Sequence, residues 1–280
     1  MSQVSGKPVL ATKNLVRRFG GLVATNDVTF SLPAGARHAL IGPNGAGKTT
    51  FVNLLSGVLP PTSGQVFLDG QDVSDWPVFR RARAGLSRTF QINQLFADFT
   101  PLETIGLALS EAHAEGAQFW RRAGTSRAIV DEAVAILEQL DLGDVMERRV
   151  GSLPYGKQRL LEIAIAVAPK PKVLLLDEPA AGVPEGEREQ ILDIIEALPK
   201  EMALVLIEHD MDLVFRFAKT ISVLVQGALF VEGPASEVAR DPRVRQVYLG
   251  ESEIEHHLET PQGDAANTDK AGEAGRGGAA

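Results

Sequence analysis

The run Gly42-Pro43-Asn44-Gly45-Ala46-Gly47-Lys48-Thr49 has the form G-x-x-x-x-G-K-[ST]. It follows an apolar stretch, His38–Ile41, and opens a helical pattern, Lys48–Ser56, which is the context this phosphate-binding motif requires. The glycines permit tight backbone angles, so that successive N–H groups can converge on phosphate oxygens. The partial positive charge of the helix N-terminus adds to them. Lys48 is expected to reach the β- and γ-phosphates of a nucleoside triphosphate, and Thr49 to ligate Mg²⁺. Gly42, Asn44, Gly45, Gly47, Lys48, Thr49 and Thr50 are the expected phosphate contacts.

Further downstream, Val173-Leu174-Leu175-Leu176 is an apolar strand that ends in Asp177 and Glu178. Acids at the C-terminal end of a buried strand face the crevice where open α/β sheets bind ligands. Asp177 is expected to hold Mg²⁺, and Glu178 to polarise an attacking water. Leu204–Ile207 repeats the pattern and delivers Glu208 and His209 to the same edge, with His209 expected on the γ-phosphate. Phe19, in Val16-Arg17-Arg18-Phe19-Gly20-Gly21, could stack on adenine, although an aromatic taken alone is more often core. Leu153-Pro154-Tyr155-Gly156-Lys157-Gln158-Arg159 precedes an apolar helix and offers free N–H groups to an anion. The chain already has one complete phosphate loop. A second anion-recognising helix start therefore implies a second ATP shared with another subunit.

These residues need a scaffold, and the pattern of the chain supplies one. Strands are expected at Val9–Leu15, Val28–Ser31, His38–Ile41, Val66–Leu68, Leu86–Phe90, Val173–Asp177, Leu204–Glu208, Ile221–Val225 and Ala228–Val231. Helices are expected at Lys48–Ser56, Pro77–Arg83, Ser126–Gln139, Lys157–Ala168, Glu185–Ala197 and Met211–Ala218. Val/Leu runs without alternation read as strands covered on both faces, as in a parallel sheet. The region from about Phe96 to Lys170 reads as a helical insert between two portions of an α/β core. From Glu251 to Ala280, seven acids face two bases and almost no apolar residue follows Leu258. Such a segment cannot bury enough surface to offset its ordering entropy, and is expected to be a disordered acidic Gly/Ala tail.

Bulk properties narrow the classes. The 280 residues carry a formal net charge of −8, which argues against nucleic acid or anionic lipid as the main partner. With no cysteine, disulfide and thiolate chemistry are excluded. The longest apolar runs fall far short of the ~20 residues needed to cross a bilayer, and Met1–Val9 lacks the apolar run of a signal peptide. A role at a membrane would require docking onto other chains that span it.

The order Phe19, phosphate loop, Gln91, the Leu153–Arg159 segment, Asp177-Glu178 and His209 resembles an ATP-binding cassette (ABC) nucleotide-binding domain, over about residues 8 to 250. The resemblance implies a P-loop NTPase core of mostly parallel sheet, with an antiparallel β flank and a helical insert at about 96–170. It also implies that two such domains bind head to tail, each ATP lying between one phosphate loop and the other chain's signature. Tyr155 and Gly156 then touch the partner's ATP. Gln91, after Ser87-Arg88-Thr89-Phe90, matches the loop that senses Mg²⁺ or water and links to the transmembrane partner. The catalytic set implied is Lys48, Gln91, Glu178 and His209, with Thr49, Gln91 and Asp177 at the metal.

A finer likeness is to the larger ATPase type of branched-chain amino acid importers. It rests on Arg18-Phe19-Gly20-Gly21-Leu22, Arg88-Thr89-Phe90-Gln91, Leu95-Phe96, Tyr155-Gly156, Leu161-Glu162-Ile163-Ala164, Glu178-Pro179-Ala180-Ala181-Gly182, Val247-Tyr248-Leu249-Gly250-Glu251 and the long loop around Glu111–Ser126. This implies transmembrane permease subunits, a second ATPase subunit of different sequence, a periplasmic solute-binding protein acting indirectly, and a peripheral position on the cytoplasmic face of the membrane. Urea and amide importers share these segments, and a lipid exporter would use the same ATPase motifs. A soluble ABC protein fits less well, because one phosphate loop and no sustained heptads are present. Three positions depart from the family pattern. Pro154 replaces a Ser whose hydroxyl reaches the γ-phosphate, Pro184 replaces Asp or Asn after the catalytic Glu, and Ile165 replaces an Arg.

Overall fold

The computed structural model describes residues 7–89, 95–113 and 126–248. Phe90, Gln91, much of the 111–126 loop and the tail from 249 lie outside the described residues. The chain begins with β1 (Pro8–Phe19), β2 (Leu22–Pro33), β3 (Arg37–Ile41), α1 (Lys48–Ser56), β4 (Ser63–Leu68), β5 (Gln71–Asp72), α2 (Val78–Arg83) and β6 (Leu86–Arg88). The helical portion is α3 (Pro101–Ala112), α4 (Arg127–Gln139) and α5 (Tyr155–Val167), with single 3-10 turns at Gly143–Val145 and Val150–Ser152. Then follow β7 (Val173–Asp177), α6 (Glu185–Glu196), β8 (Ala203–Ile207), α7 (Met211–Phe217), β9 (Thr220–Val225), β10 (Ala228–Pro234), α8 (Ala235–Val238) and α9 (Pro242–Tyr248).

Two sheets result. The antiparallel one has the order β2-β1-β4-β5, and the larger one the order β10-β9-β3-β8-β7-β6. In the larger sheet β6, β7, β8, β3 and β9 run parallel and β10 is antiparallel at the edge. This is the expected α/β P-loop architecture with an antiparallel flank.

The pleat explains why these strands are apolar without alternation. In β7, Leu174 and Leu176 join the core under α3–α7, while Val173 and Leu175 point to the core shared with α1 and the antiparallel sheet. Leu204 and Leu206 in β8 divide from Ala203, Val205 and Ile207 in the same way. Both faces are dry, so every residue of both strands is buried. The elements differ from the sequence reading mainly in their bounds: β1 and β2 run for 12 residues each where Val9–Leu15 and Val28–Ser31 were expected, and β6 is described only as far as Arg88, short of the expected Phe90. The strand before His209 ends at Ile207, leaving Glu208 outside it. Helix α5 starts at Tyr155, so Tyr155 and Gly156 lie in its first turn rather than before it. Helix α3 lies within the expected helical insert, with bounds the sequence pattern leaves undefined. Its capping box joins Thr100 and Glu103, with Pro101 in the first turn.

Two buried polar groups serve the fold. Arg81 is fully buried and donates to the carbonyls of Leu54 and Leu55 at the end of α1, and to those of Ser74 and Trp76. Burial pushes its guanidinium down to about 10. His38 lies 2.7 Å from the Ser222 hydroxyl, which donates to Glu232, and the Phe30 ring meets the imidazole edge-on. Burial pushes His38 down to about 4 from 6.5. An unfolded chain takes up this proton near 6.5 and the folded chain only near 4. Stability from this group is therefore lost as pH falls through that window, up to about 3 kcal/mol. Denaturant midpoints between pH 7 and pH 4.5 should drop more steeply in the parent than in His38→Gln. Parallel pH profiles would contradict this origin.

Candidate functional site

The carboxyl ends of three parallel neighbours, β3, β8 and β7, meet at one edge of the larger sheet. Between β3 and α1 the chain turns through residues 42–47. Gly42 has φ 153°, and a Cβ there would lie 2.2 Å from the Leu224 carbonyl oxygen. Gly47 has φ 97° and caps α1 without a side-chain hydrogen bond, and a Cβ there would lie 2.3 Å from the Ala24 carbonyl oxygen. Neither position admits a side chain. The first-turn N–H groups of α1 are therefore left for an external acceptor. Asn44, Gly45 and Thr49 are exposed and Lys48 is half-buried. The Lys48 ammonium folds back onto the carbonyls of Gly42, at 2.5 Å, and Pro43, at 3.2 Å. Burial lowers its pKa, while Glu178 and Asp177 oppose that shift, so both carboxylates act on the same charge.

Asp177 is buried at the end of β7, where Arg88 of β6 reaches its Oδ2 at 2.7 Å. Arg88 also donates to the Asn53 side chain of α1 and so joins three elements at the site. The Asp177 N–H donates to the Thr89 hydroxyl. Glu178 leaves the strand with φ 47°, its N–H held by the Ile207 carbonyl of β8 at 2.9 Å. Its Oε1 lies 3.6 Å from Nδ1 of His209, an exposed ring. Glu208 is buried beside them, and its Oε2 accepts the His209 N–H at 3.2 Å. Burial raises its pKa, and nearby Glu178 adds to the rise. Thus Lys48, Asp177, Glu178 and His209 share one crevice.

Phe19 ends β1 on the surface, 43% exposed, with the Arg17 guanidinium 4.6 Å from its ring centroid. It is not a core residue. Its hairpin partner β2 passes Ala24 against Gly47, which brings the hairpin beside the phosphate loop. Phe19→Ala should weaken ATP binding by ~1 kcal/mol, while Phe19→Tyr should bind like the parent. Titration with a fluorescent ATP analogue checks this, and unchanged affinity in the Ala variant would remove Phe19 from the site.

Tyr155 and Gly156 stand apart from the phosphate loop. The Tyr155 hydroxyl donates to the Ala181 carbonyl at 3.2 Å, its ring lies over Gly182, and the Glu187 carboxylate packs against Gly156. Pro154 precedes α5 without a side-chain cap. Sequence reasoning gave no role to Arg88, Arg159, Thr89 or Glu208. Arg88 ends β6 and Thr89 follows it, beside the end of β7 in the parallel sheet, and a charged residue closing a strand there was the available signal. Gln91 lies outside the described residues. No cluster of three or more His, Cys, Asp or Glu among the described residues could hold a metal alone. Mg²⁺ bound with a nucleotide needs only one or two protein oxygens beside phosphates and water, and the Thr49 hydroxyl and Asp177 carboxylate fit that donor set.

A separate cavity of about 340 Å³ is lined by Arg88, Thr89, Leu95, Phe96, Thr104, Leu107, Ala108, Glu111, Glu162, Ile165 and Ala166. None of the phosphate-loop residues lines it. Ile165 contributes to its apolar wall. No helix among the described residues is long and apolar enough to cross a membrane.

Comparison with known proteins gives a consistent picture. A family model described as ABC transporter matches residues 25–181, and one described as branched-chain amino acid ATP-binding cassette transporter matches residues 229–254. The chain is 38% identical to the high-affinity branched-chain amino acid transport ATP-binding protein BraF of Pseudomonas aeruginosa, over 88% of this chain and 99% of that protein. It is 37% identical to the corresponding LivG protein of Escherichia coli, with the same coverage. Among solved structures, a nucleotide-free ATP-binding cassette from an ABC transporter is similar with TM-score 0.76 and 30% identity, over 87% of this chain and 100% of that one. The ADP conformation of an ABC transporter cassette is similar with TM-score 0.76 and 31% identity, over 87% and 99%.

Proposed function

This chain belongs to the ABC transporter family of ATPases, and on that premise we propose that it powers an importer of branched-chain or similar hydrophobic amino acids. The convergence of Lys48, Asp177, Glu178 and His209 at one sheet edge carries the catalytic part of the reading. The match of residues 229–254 to the branched-chain family, outside the general ATPase region, supports the choice of solute.

In this reading adenine stacks on Phe19. The phosphates lie on the N–H groups around Asn44, Gly45, Gly47, Lys48, Thr49 and Thr50, and Lys48 swings from the Gly42 and Pro43 carbonyls onto the β- and γ-phosphates. Mg²⁺, when bound, neutralises phosphate charge, and Thr49, Asp177 and Gln91 are the residues to hold it. Glu178 takes the proton of the attacking water, and His209 steadies charge growing on the γ-phosphoryl oxygens. Tyr155 and Gly156 serve the ATP of a second ATPase subunit, since their contacts run to residues 181–187 and not to their own phosphate loop. Pro154 brings neither hydroxyl nor N–H to that task, so a partner of different sequence, better equipped there, completes the pair.

Residues 8–250 form the ATPase domain with its insert at 96–170, and 251–280 a tail. Permease subunits dock beside the cavity walled by Leu95, Phe96 and Thr104, holding the chain on the cytoplasmic face of the membrane. A solute-binding protein acts through them, and no nucleic acid takes part.

Affinity purification of the tagged chain from native membranes tests the assignment. It should recover two permease chains, a second ATPase and, after crosslinking, a periplasmic solute-binding protein. Recovery of membrane chains with no solute-binding protein would point to an exporter, and recovery of no membrane chain would overturn the transport role.

A further inference from the structure

The catalytic loop after β7 is strapped to the helix that begins at Tyr155. Arg159, one turn into α5 and 3% exposed, aims its guanidinium at three successive carbonyls. Nη2 donates to Asp177 O at 3.0 Å and Glu178 O at 2.7 Å, and Nε donates to Pro179 O at 2.9 Å. Nη1 is held by the Glu162 carboxylate, one turn further along α5, which fixes the fork. At the helix start, the Tyr155 hydroxyl holds the Ala181 carbonyl, and the Tyr155 ring covers Gly182, whose φ of 73° makes the turn. Glu178 itself has φ 47°, a conformation an unrestrained glutamate rarely adopts, so its backbone is held by its surroundings. The surroundings are the Ile207 carbonyl on one side and Arg159 on the other.

We propose that Arg159 is a positioning residue for Glu178, and that with Tyr155 it makes the first turns of α5 and the loop 177–182 one rigid unit. The proposal rests on the reading of Glu178 as the base and of the α5 start as the contact for a second subunit's ATP. Given that reading, seating of the other nucleotide at Tyr155 and Gly156 is transmitted within the chain to its own catalytic carboxylate, through side chain–carbonyl bonds that already exist. A planar guanidinium is needed, because a lysine ammonium in the same space cannot span three carbonyls and a carboxylate.

The test uses the full chain in the complex purified with its membrane subunits, and three variants. Arg159→Lys should lower kcat by at least ~30-fold, as expected when a catalytic group is displaced by a fraction of an ångström, with the ATP dissociation constant within about twofold of the parent. Tyr155→Phe, which removes only the hydroxyl, should lower kcat by about 3- to 10-fold with an unchanged melting temperature. Hydrogen exchange at the Ala181 and Val183 amides should rise in both, while α1 amides stay protected. A merely structural Arg159 would instead raise exchange in both regions together. Glu178→Gln serves as the reference. If it turns over normally, the reading of Glu178 fails. If it is inactive while folded Arg159→Lys keeps kcat within twofold, the strap is refuted alone. Should Arg159→Lys not fold, Tyr155→Phe decides, and a parent-like kcat with unchanged exchange at Ala181 overturns the proposal.

Discussion

Glu178→Gln should bind ATP like the parent and hydrolyse it at least ~100-fold more slowly, the low end for a lost general base. The substitution keeps size and shape, so the Ile207 and Arg159 bonds to the Glu178 backbone stay in place. The phosphate loop is built by β3 and α1 and does not depend on this side chain. What disappears is the carboxylate that can accept a proton from water. Steady-state phosphate release and equilibrium ATP binding, measured together, check the split. Turnover near the parent rate would remove Glu178 from the chemistry.

The second large effect concerns Arg88. This guanidinium is the buried counter-charge of Asp177, with side chains 8% and 2% exposed and 2.7 Å between them. Removing one partner of a buried pair leaves an uncompensated charge, so Arg88→Met should cost about 3–5 kcal/mol of folding free energy. Much of that loss reflects Asp177 and not the missing contacts of Arg88. Adding Asp177→Asn should therefore recover at least ~1 kcal/mol, although Asp177→Asn alone is itself destabilising. Guanidinium unfolding of the two single variants and the double variant measures the coupling. Simple additivity would show that the pair contributes no specific interaction.

These expectations rest on a scaffold whose main lines are readable from sequence. Helix α1 and strand β7 have the bounds their patterns indicate, because a Gly-rich turn opens one and two acids close the other. The crevice was legible for the same reason. Residues that end apolar strands have nowhere to go but the sheet edge. The polar supports were not legible. Arg81 lies in the expected helix Pro77–Arg83, where nothing distinguishes it from the neighbouring arginines, yet it is fully buried under α1. His38 shows no pattern that would distinguish it, because its partners Ser222 and Glu232 are far along the chain. Arg159 reads as part of a signature segment, and only the fold brings β7's exit within reach of its fork. The two-residue strand β5 is too short for any periodicity to register. Helix α3 was within reach, since Thr100-Pro101-Leu102-Glu103 spells its capping box. Long-range polar contacts depend on topology, and topology is what a linear pattern does not contain.

The central claim is that hydrolysis at this crevice drives amino acid import, and uptake by the reconstituted complex tests it most directly. The complex purified with its own membrane subunits is placed in proteoliposomes with ATP inside and leucine-loaded solute-binding protein outside. The parent should take up labelled leucine, with a matching rise in ATP hydrolysis over the leucine-free reaction. Complexes carrying Glu178→Gln in this chain should lose uptake and the leucine-dependent hydrolysis together. Undiminished leucine uptake by the Glu178→Gln complex would contradict the account, as would hydrolysis by the parent that ignores every branched-chain or hydrophobic amino acid presented to it.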